Sequence, residues 1–288
     1  MIKLFTSLLL LAWFSVPEIS NAAVHHERYP RSSVNTADTT VILIHGWSCD
    51  STYWSEQLPA LRQHFDVTTI DLAGHGKTAA TRDDFSMASF GRDVAEVVAQ
   101  LPASQPIVLV GHSMGGPVAV EAALLLGERV RGVIGVDTFA SIGLPKPSAV
   151  ENAARLAAFE RDFRSTTYAF VSQSFFRADA DPSLRERIAN DMASADPKVA
   201  LAAIQGLNDW DGTQRLPLLK QPIATINADQ VPLDAARLQR YAPSFQLITL
   251  AGQGHFLMME NPTRFNPVLI ETISGMLDDQ RAEVSASR

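Results

Sequence analysis

The sequence predicts an α/β domain built on a mostly parallel sheet of about eight strands flanked by helices. Three observations predict it. Short, continuously apolar runs recur along the chain, as in Thr40-Val-Ile-Leu-Ile44 and Ile107-Val-Leu-Val110. A strand covered on both faces reads this way because neither side meets water. Between the runs lie segments with apolar residues at helical spacing, such as Met87, Phe90, Val94, Val97, Val98 and Leu101. Regular alternation of strand and helix implies parallel strands joined by crossover helices. Finally, the chain has 288 residues, 46% hydrophobic and 19% charged, enough for one large domain with a sizeable core.

In chain order, Lys3, the mostly apolar stretch Leu4 to Val16 and the small residues of Ser20-Asn21-Ala22 have the grammar of a signal peptide cleaved before Ala23. Residues 1–22 are therefore expected to be removed, the protein exported to the periplasm or medium, and the domain to span 23–288. The apolar stretch is short for a membrane span of about 20 residues, so no stable anchor is expected after cleavage. Cys49 is the one cysteine, which precludes an internal disulfide and leaves the core alone to hold the fold. A net charge of −7 without any basic run argues against nucleic acid as a partner, since phosphate contacts need clustered Lys and Arg.

The strand Thr40 to Ile44 ends in His45-Gly46, and Trp54 to His64 reads as a helix. Asp66 to Ile70 is the next strand, followed by Asp71 and the turn Ala73-Gly-His-Gly76. The amphipathic helix from Met87 to Leu101 is bracketed by Pro102 and Pro106. Ile107 to Val110 is a strand, Pro117 to Leu126 a helix, and Gly132 to Val136 a strand. From about Lys146 to Asp211 the chain is helical, Ala-rich and Phe-rich, with no clear strand. The rhythm returns with a strand at Ile223 to Ile226, a helix at Asp234 to Tyr241, a strand at Phe245 to Leu250 and a helix from about Asn261 to Leu277. The helical stretch has no linker on either side. It is read as a cap over the carboxyl edge of the sheet, where ligands bind in open α/β sheets.

Gly111-His-Ser113-Met-Gly115 follows one strand directly and precedes a helix. In that setting G-x-S-x-G is a nucleophile turn: the glycines let the chain bend tightly enough to lift the Ser113 hydroxyl clear. The helix that follows aims its first amides at the reacting oxygen. His255, in Gly252-Gln-Gly-His255 after the last strand, is the expected base, because histidine titrates near neutral pH and can take and return the serine proton. His45, His75 and His112 are weaker candidates, since they precede the serine. Two carboxylates compete to orient the imidazole. Asp229, just past the strand at 223–226, is preferred; Asp137, directly after the strand at 132–136, is the alternative. Asp234 is a third choice, better read as a helix cap. His45-Gly46-Trp47 suits one half of an oxyanion hole, with backbone N–H groups of Trp47 and Met114 as donors.

Val41-Ile-Leu-Ile-His-Gly-Trp47, Ile70-Asp-Leu-Ala-Gly-His-Gly76, Gly111-His-Ser-Met-Gly-Gly116 and Gly254-His-Phe256 together resemble the α/β-hydrolase fold superfamily, in its esterase, lipase-like and perhydrolase-like branch. The resemblance runs from about Thr40 to Leu277. It implies an eight-stranded sheet, a helical cap inserted after the sixth strand, and neither cofactor nor metal. Two departures stand out. Little sequence separates Ala23 from Thr40, so the antiparallel edge strands are short or partly missing. The family's acid turn often reads G-x-x-D, whereas here it is the shorter Asn227-Ala-Asp229; some lipases carry the acid one strand earlier, at the position of Asp137.

The expected activity is hydrolysis of a carboxylic ester of a small molecule through an acyl-enzyme on Ser113. Lactonase, thioesterase, amidase or carbon–carbon hydrolase chemistry would use the same triad. A low-turnover binding protein on this scaffold is the reading from another class, since fold alone does not fix function. The Phe- and Trp-bearing insert offers Phe163, Tyr168, Phe170, Phe175, Phe176 and Trp210. As substrate contacts the sequence nominates Trp47, Phe139, Phe176 and Phe256.

Overall fold

A computed structural model describes residues 23–32 and 39–286 of the chain; the expected signal peptide, 1–22, lies outside them. The described strands form one sheet of seven, β1 (His26–Tyr29), β2 (Thr40–Ile44), β3 (Asp66–Ile70), β4 (Ile107–His112), β5 (Val130–Val136), β6 (Ile223–Ala228) and β7 (Gln246–Leu250), in the order β1-β3-β2-β4-β5-β6-β7. Every pairing is parallel except that of β1, which runs antiparallel to β3 with His26 opposite Ile70. Seven strands stand against the eight that the resemblance implies. The short stretch before Thr40 supplies one described antiparallel strand of four residues, in keeping with the expectation of curtailed edge strands.

The apolar runs occupy the middle of the sheet. All residues of β2, β4 and β6 are buried, as double-sided coverage requires. β7, at the sheet edge, is exposed at Gln246 and Thr249. The helix expected at 54–64 is broken. A short turn of 3₁₀ helix, Ser51–Trp54, is capped by the Asp50 side chain, which accepts from the Thr52 N–H. One turn of α1 (Leu58–Leu61) then carries Pro59 as its second residue, which lacks the donor a continuous helix would need. α2 (Met87–Ala99), capped by Ser86, and α3 (Gly115–Leu126), which starts at the end of the serine turn, are longer.

Four helices of eleven residues or more follow β5: α4 (Ala149–Arg161), α5 (Phe163–Ser174), α6 (Pro182–Met192) and α7 (Pro197–Asp209). Each has a side-chain cap. Ser148 and Glu151 form a reciprocal capping box, and Asp162, Asp181 and Asp196 accept from first-turn amides; such caps satisfy N–H groups with no partner inside the helix. The Trp47 indole ties this segment to the sheet edge by donating to the Ala200 carbonyl at 2.7 Å. α8 (Gly212–Arg215) follows and is anchored to α3. The Arg215 guanidinium makes two bonds, of 2.7 and 2.6 Å, to the buried Glu121 carboxylate, which also accepts from the Trp210 indole at 2.8 Å. The remaining helices are α9 (Ala235–Gln239), α10 (Leu257–Glu260) and α11 (Pro262–Ala286).

Three histidines are buried in the frame: His45, His75 and His112. Burial holds each imidazole below its ordinary value of 6.5, with His75 brought to about 3. The His45 ring accepts the Leu72 N–H on Nε2 at 3.0 Å, which leaves Nδ1 to donate to the Gly46 carbonyl at 2.8 Å. A buried neutral histidine refuses a proton that the unfolded chain accepts. Stability therefore falls as pH drops below 6.5, and for His75 it goes on falling to about 3. Urea unfolding followed from neutral to mildly acidic pH should show this loss. In His75→Asn, which removes one titrating ring, the slope should be shallower by up to about 1.4 kcal/mol per pH unit; an unchanged slope would mean that His75 titrates normally in the folded protein.

Candidate active site

The turn between β4 and α3 is built around close backbone packing. A Cβ on Gly111 would lie 2.0 Å from the Gly115 carbonyl oxygen, and one on Gly115 would lie 2.6 Å from the carbonyl oxygens of Ile44 and His45. Only glycine fits at either place. Between them Ser113 takes a left-handed φ of 51°, a conformation that non-glycine residues rarely adopt and that concentrates at functional sites. Its backbone is held on both sides. The Ser113 N–H donates to the Val136 carbonyl at 2.9 Å, and its carbonyl accepts from the Gly116 N–H at 3.0 Å and the Thr138 hydroxyl at 2.8 Å.

His255 lies on the loop after β7. The loop leaves the strand through Gly252, whose φ of 80° suits glycine. Its later amides are gathered by one carboxylate, since Glu260 accepts from Gly254 N–H at 2.9 Å and from Phe256 N–H at 3.2 Å. Burial pushes the Glu260 carboxyl up, against the pull of those two amides. The His255 N–H donates to the Phe175 carbonyl at 2.8 Å. On the other side the His255 carbonyl takes a 2.9 Å hydrogen bond from His112 Nε2. Burial, reinforced by the neighbouring His255, keeps the His112 ring neutral. One proton then suffices on it, at Nε2, where the carbonyl needs a donor. The residue before the serine thus braces the loop that carries the base candidate.

The acid facing His255 is Asp137. Its Oδ2 lies 2.6 Å from His255 Nδ1, and its Oδ1 accepts from the Ala228 N–H at 2.9 Å. Both side chains are mostly covered, at 11% exposure for Asp137 and 15% for His255. Asp137 also has a left-handed φ, 46°, which aspartate tolerates better than most residues. The sequence preference for Asp229 is corrected here. Asp229 is 40% exposed and faces away from the ring: its Oδ1 accepts from the Gly252 N–H at 2.8 Å and pairs with Arg177 at 3.4 Å. The cause is strand length. Val136 and Ile226 are paired, so Asp137 emerges directly at the sheet edge, while β6 runs on through Asn227 and Ala228 in register with β7. That extension carries Asp229 past the imidazole to the start of its loop. Asp234, the third choice, stands at the N-cap of α9.

Ser113, Asp137 and His255 line one cavity of about 780 Å³, walled further by Phe139, Phe175 and Trp210. Its size fits a small organic molecule. The Phe139 and Trp210 rings are stacked at 6.4 Å, and the Phe175 ring lies 4.3 Å from the His255 ring.

A profile described as the alpha/beta hydrolase fold matches residues 39–262. The chain belongs to the α/β-hydrolase family. Among curated relatives it is 28% identical over 257 residues to the Biotin biosynthesis bifunctional protein BioHC of Cellvibrio japonicus, covering 85% of this chain but spanning only 50% of that protein. It is 26% identical over 245 residues to the Pimeloyl-[acyl-carrier protein] methyl ester esterase of Yersinia enterocolitica, covering 81% of this chain and 93% of the relative. Among solved structures, a thermophilic esterase from Thermogutta terrifontis superposes with a TM-score of 0.74 at 26% identity, covering 88% of this chain and 93% of its own.

Within this α/β hydrolase the other expected site residues divide. Phe139 lines the cavity as expected. Trp47, Phe176 and Phe256 do not line it; they are packing residues, and their nomination as substrate contacts is corrected. The Trp47 ring packs edge-on against Phe159 and Phe163. Phe256 is fully buried behind His255 and stacks on Phe176. Phe175, the C-cap of α5, lines the cavity where its neighbour Phe176 does not, a distinction that composition does not carry. A Cβ on Gly46 would lie 3.3 Å from Ser113 Cβ, so the backbone leading into Trp47 passes beside the serine. Met114, the second donor candidate, is the N-cap of α3.

Proposed function

We propose that this hydrolase cleaves carboxylic esters of small molecules through an acyl-enzyme on Ser113, with His255 as base and Asp137 as the acid that orients it. The observation that carries the reading is the 2.6 Å bond between His255 Nδ1 and Asp137, which leaves Nε2 as the nitrogen able to serve Ser113 across the shared cavity. The relatives named for ester hydrolysis support the choice of bond. In the first half-reaction, the Ser113 oxygen attacks the acyl carbon while its proton passes to His255 Nε2. The tetrahedral intermediate then collapses, and the alcohol leaves with that proton. In the second, a water gives its proton to the same nitrogen as it attacks the acyl-serine carbonyl; the bond from the acyl carbon to the Ser113 oxygen then breaks, the proton returns to that oxygen and the acid leaves. The Asp137 carboxylate stabilises the imidazolium in both. The N–H groups of Trp47 and Met114, with the positive end of α3, are assigned to the intermediate's oxyanion.

Helices α4 to α7 act in this reading as a cap over the site. A fluorophosphonate probe tests the reading. Peptide mass mapping should find one adduct, on the peptide containing Ser113, and the adduct should abolish ester hydrolysis. An unmodified Ser113 under conditions where the protein turns over an ester would refute it.

A further inference from the structure

We propose that Lys146 and Arg155 form a binding site for an anionic group of the substrate, so that the preferred ester carries a carboxylate or phosphate away from its scissile bond; this rests on the ester-hydrolase reading above. The starting point is charge. The chain carries a net −7, yet the ionisable residues lining the cavity are Asp137, His255, Lys146, Arg155 and Asp211. Asp137 and His255 are occupied with each other. Asp211 caps α8, accepting from the Thr213 amide and hydroxyl and from Gln214. That leaves two cations, and neither forms an ion pair among the described residues.

Both cations share one partner, Asn208. Lys146 Nζ donates to the carbonyls of Asn208 at 3.1 Å and Trp210 at 3.2 Å. Arg155 Nη2 donates to the Asn208 side-chain oxygen at 3.0 Å and, more weakly, to that of Asn152 at 3.4 Å. Neutral oxygens position the ammonium and guanidinium without cancelling their charge, and each group keeps further N–H donors free of these bonds. Asp211 is close enough for Lys146 to help hold its carboxyl down, behind the hydrogen bonds from Thr213, so it offsets part of one positive charge and none of the other's hydrogen-bonding capacity. Glu151, on the same helix as Arg155, is engaged with Ser148. Part of the wall shared by these cations and the triad is aromatic: Trp210, whose carbonyl holds Lys146, stacks on Phe139, two residues beyond Asp137. An apolar segment bearing the scissile ester at one end and an oxyanion at the other matches that surface. Arginine and lysine recognise carboxylates and phosphates by charge-assisted hydrogen bonds.

The test compares matched esters at low salt. One arm pairs methyl alkanoates with the monomethyl esters of α,ω-dicarboxylic acids of the same chain length. The other pairs ethyl alkanoates with the alkanoate esters of hydroxyethyl phosphate. In one arm or the other, kcat/KM for the anionic ester should exceed that for its neutral partner by about tenfold, and the arm in which it does identifies the carboxylate or the phosphate. The ratio should fall towards one in the double variant Lys146→Ala/Arg155→Ala, and also as added salt screens the pair. Equal kcat/KM in both arms, or a preference that survives the double variant, would overturn the site. Calorimetry with the Ser113→Ala variant separates this failure from failure of the ester reading. If no ester is turned over but the half-esters bind and the double substitution abolishes binding, the anion site stands and the reaction assignment falls. If the anionic esters are neither turned over nor bound, the anion site falls too.

Discussion

Ser113→Ala is expected to lower kcat for ester hydrolysis by about five to six orders of magnitude, the loss typical when the nucleophile of a serine triad is removed. The substitution deletes one oxygen from a side chain at the cavity wall. It leaves in place the backbone bonds of Ser113 to Val136, Gly116 and Thr138 that hold the turn. Alanine meets the same left-handed φ of 51° with nearly the same steric demand, so the thermal midpoint should barely move. His255→Ala should cost about as much activity, and the double variant little more, because the members act as a unit. Initial rates on purified protein, read beside thermal unfolding, check the prediction. Substantial turnover in Ser113→Ala would mean that another group attacks the substrate.

Asp137→Asn and Asp229→Asn should behave very differently. At 137 an amide can still accept from Ala228, so the local turn survives. Its NH₂ group, however, would face His255 Nδ1 and favour the tautomer that puts the ring proton on Nε2. That ring cannot take the Ser113 proton, and a loss of about 10⁴ in kcat is expected by analogy with the corresponding protease substitution. At 229 an amide keeps the bond to Gly252 and gives up an exposed pairing with Arg177, worth about 0–1 kcal/mol. Activity should stay within a few-fold of wild type. The reverse pattern would make Asp229 the working acid and the Asp137–His255 bond incidental.

Much of this architecture can be read in the residues because local physics expresses it. The strands at 40–44, 66–70, 107–110 and 223–226 announce themselves as unbroken apolar or β-branched runs, which are favourable only when both faces are covered. The serine turn is legible because steric demand at Gly111 and Gly115 leaves glycine alone. The helical character of the stretch at about 146–211 is legible from the loss of strand rhythm, and α4 to α7 lie within it. The broken helix at 54–64 is different: Pro59 and the Asp50 cap are local signals, and the apolar residues around them mask the interruption. β1 is also hard to see, since four residues of mixed polarity become a strand only by pairing with β3.

The sequence by itself determined the fold family, the identity of the nucleophile and base candidates, and the fact that two carboxylates stand at the sheet edge in competition for one imidazole. These depend on neighbours along the chain, and residue type and spacing encode them. Only the tertiary structure decided that competition, chose Phe175 over Phe176 as a wall, and brought Lys146 and Arg155 together on Asn208. Each of those outcomes depends on where a strand stops relative to its partner, or on which way a helix end turns, and such distances are set by packing between segments far apart in the chain. Two residues of additional strand pairing in β6, through Asn227 and Ala228, send Asp229 to Gly252, while Asp137, at the end of a strand that stops sooner, meets His255.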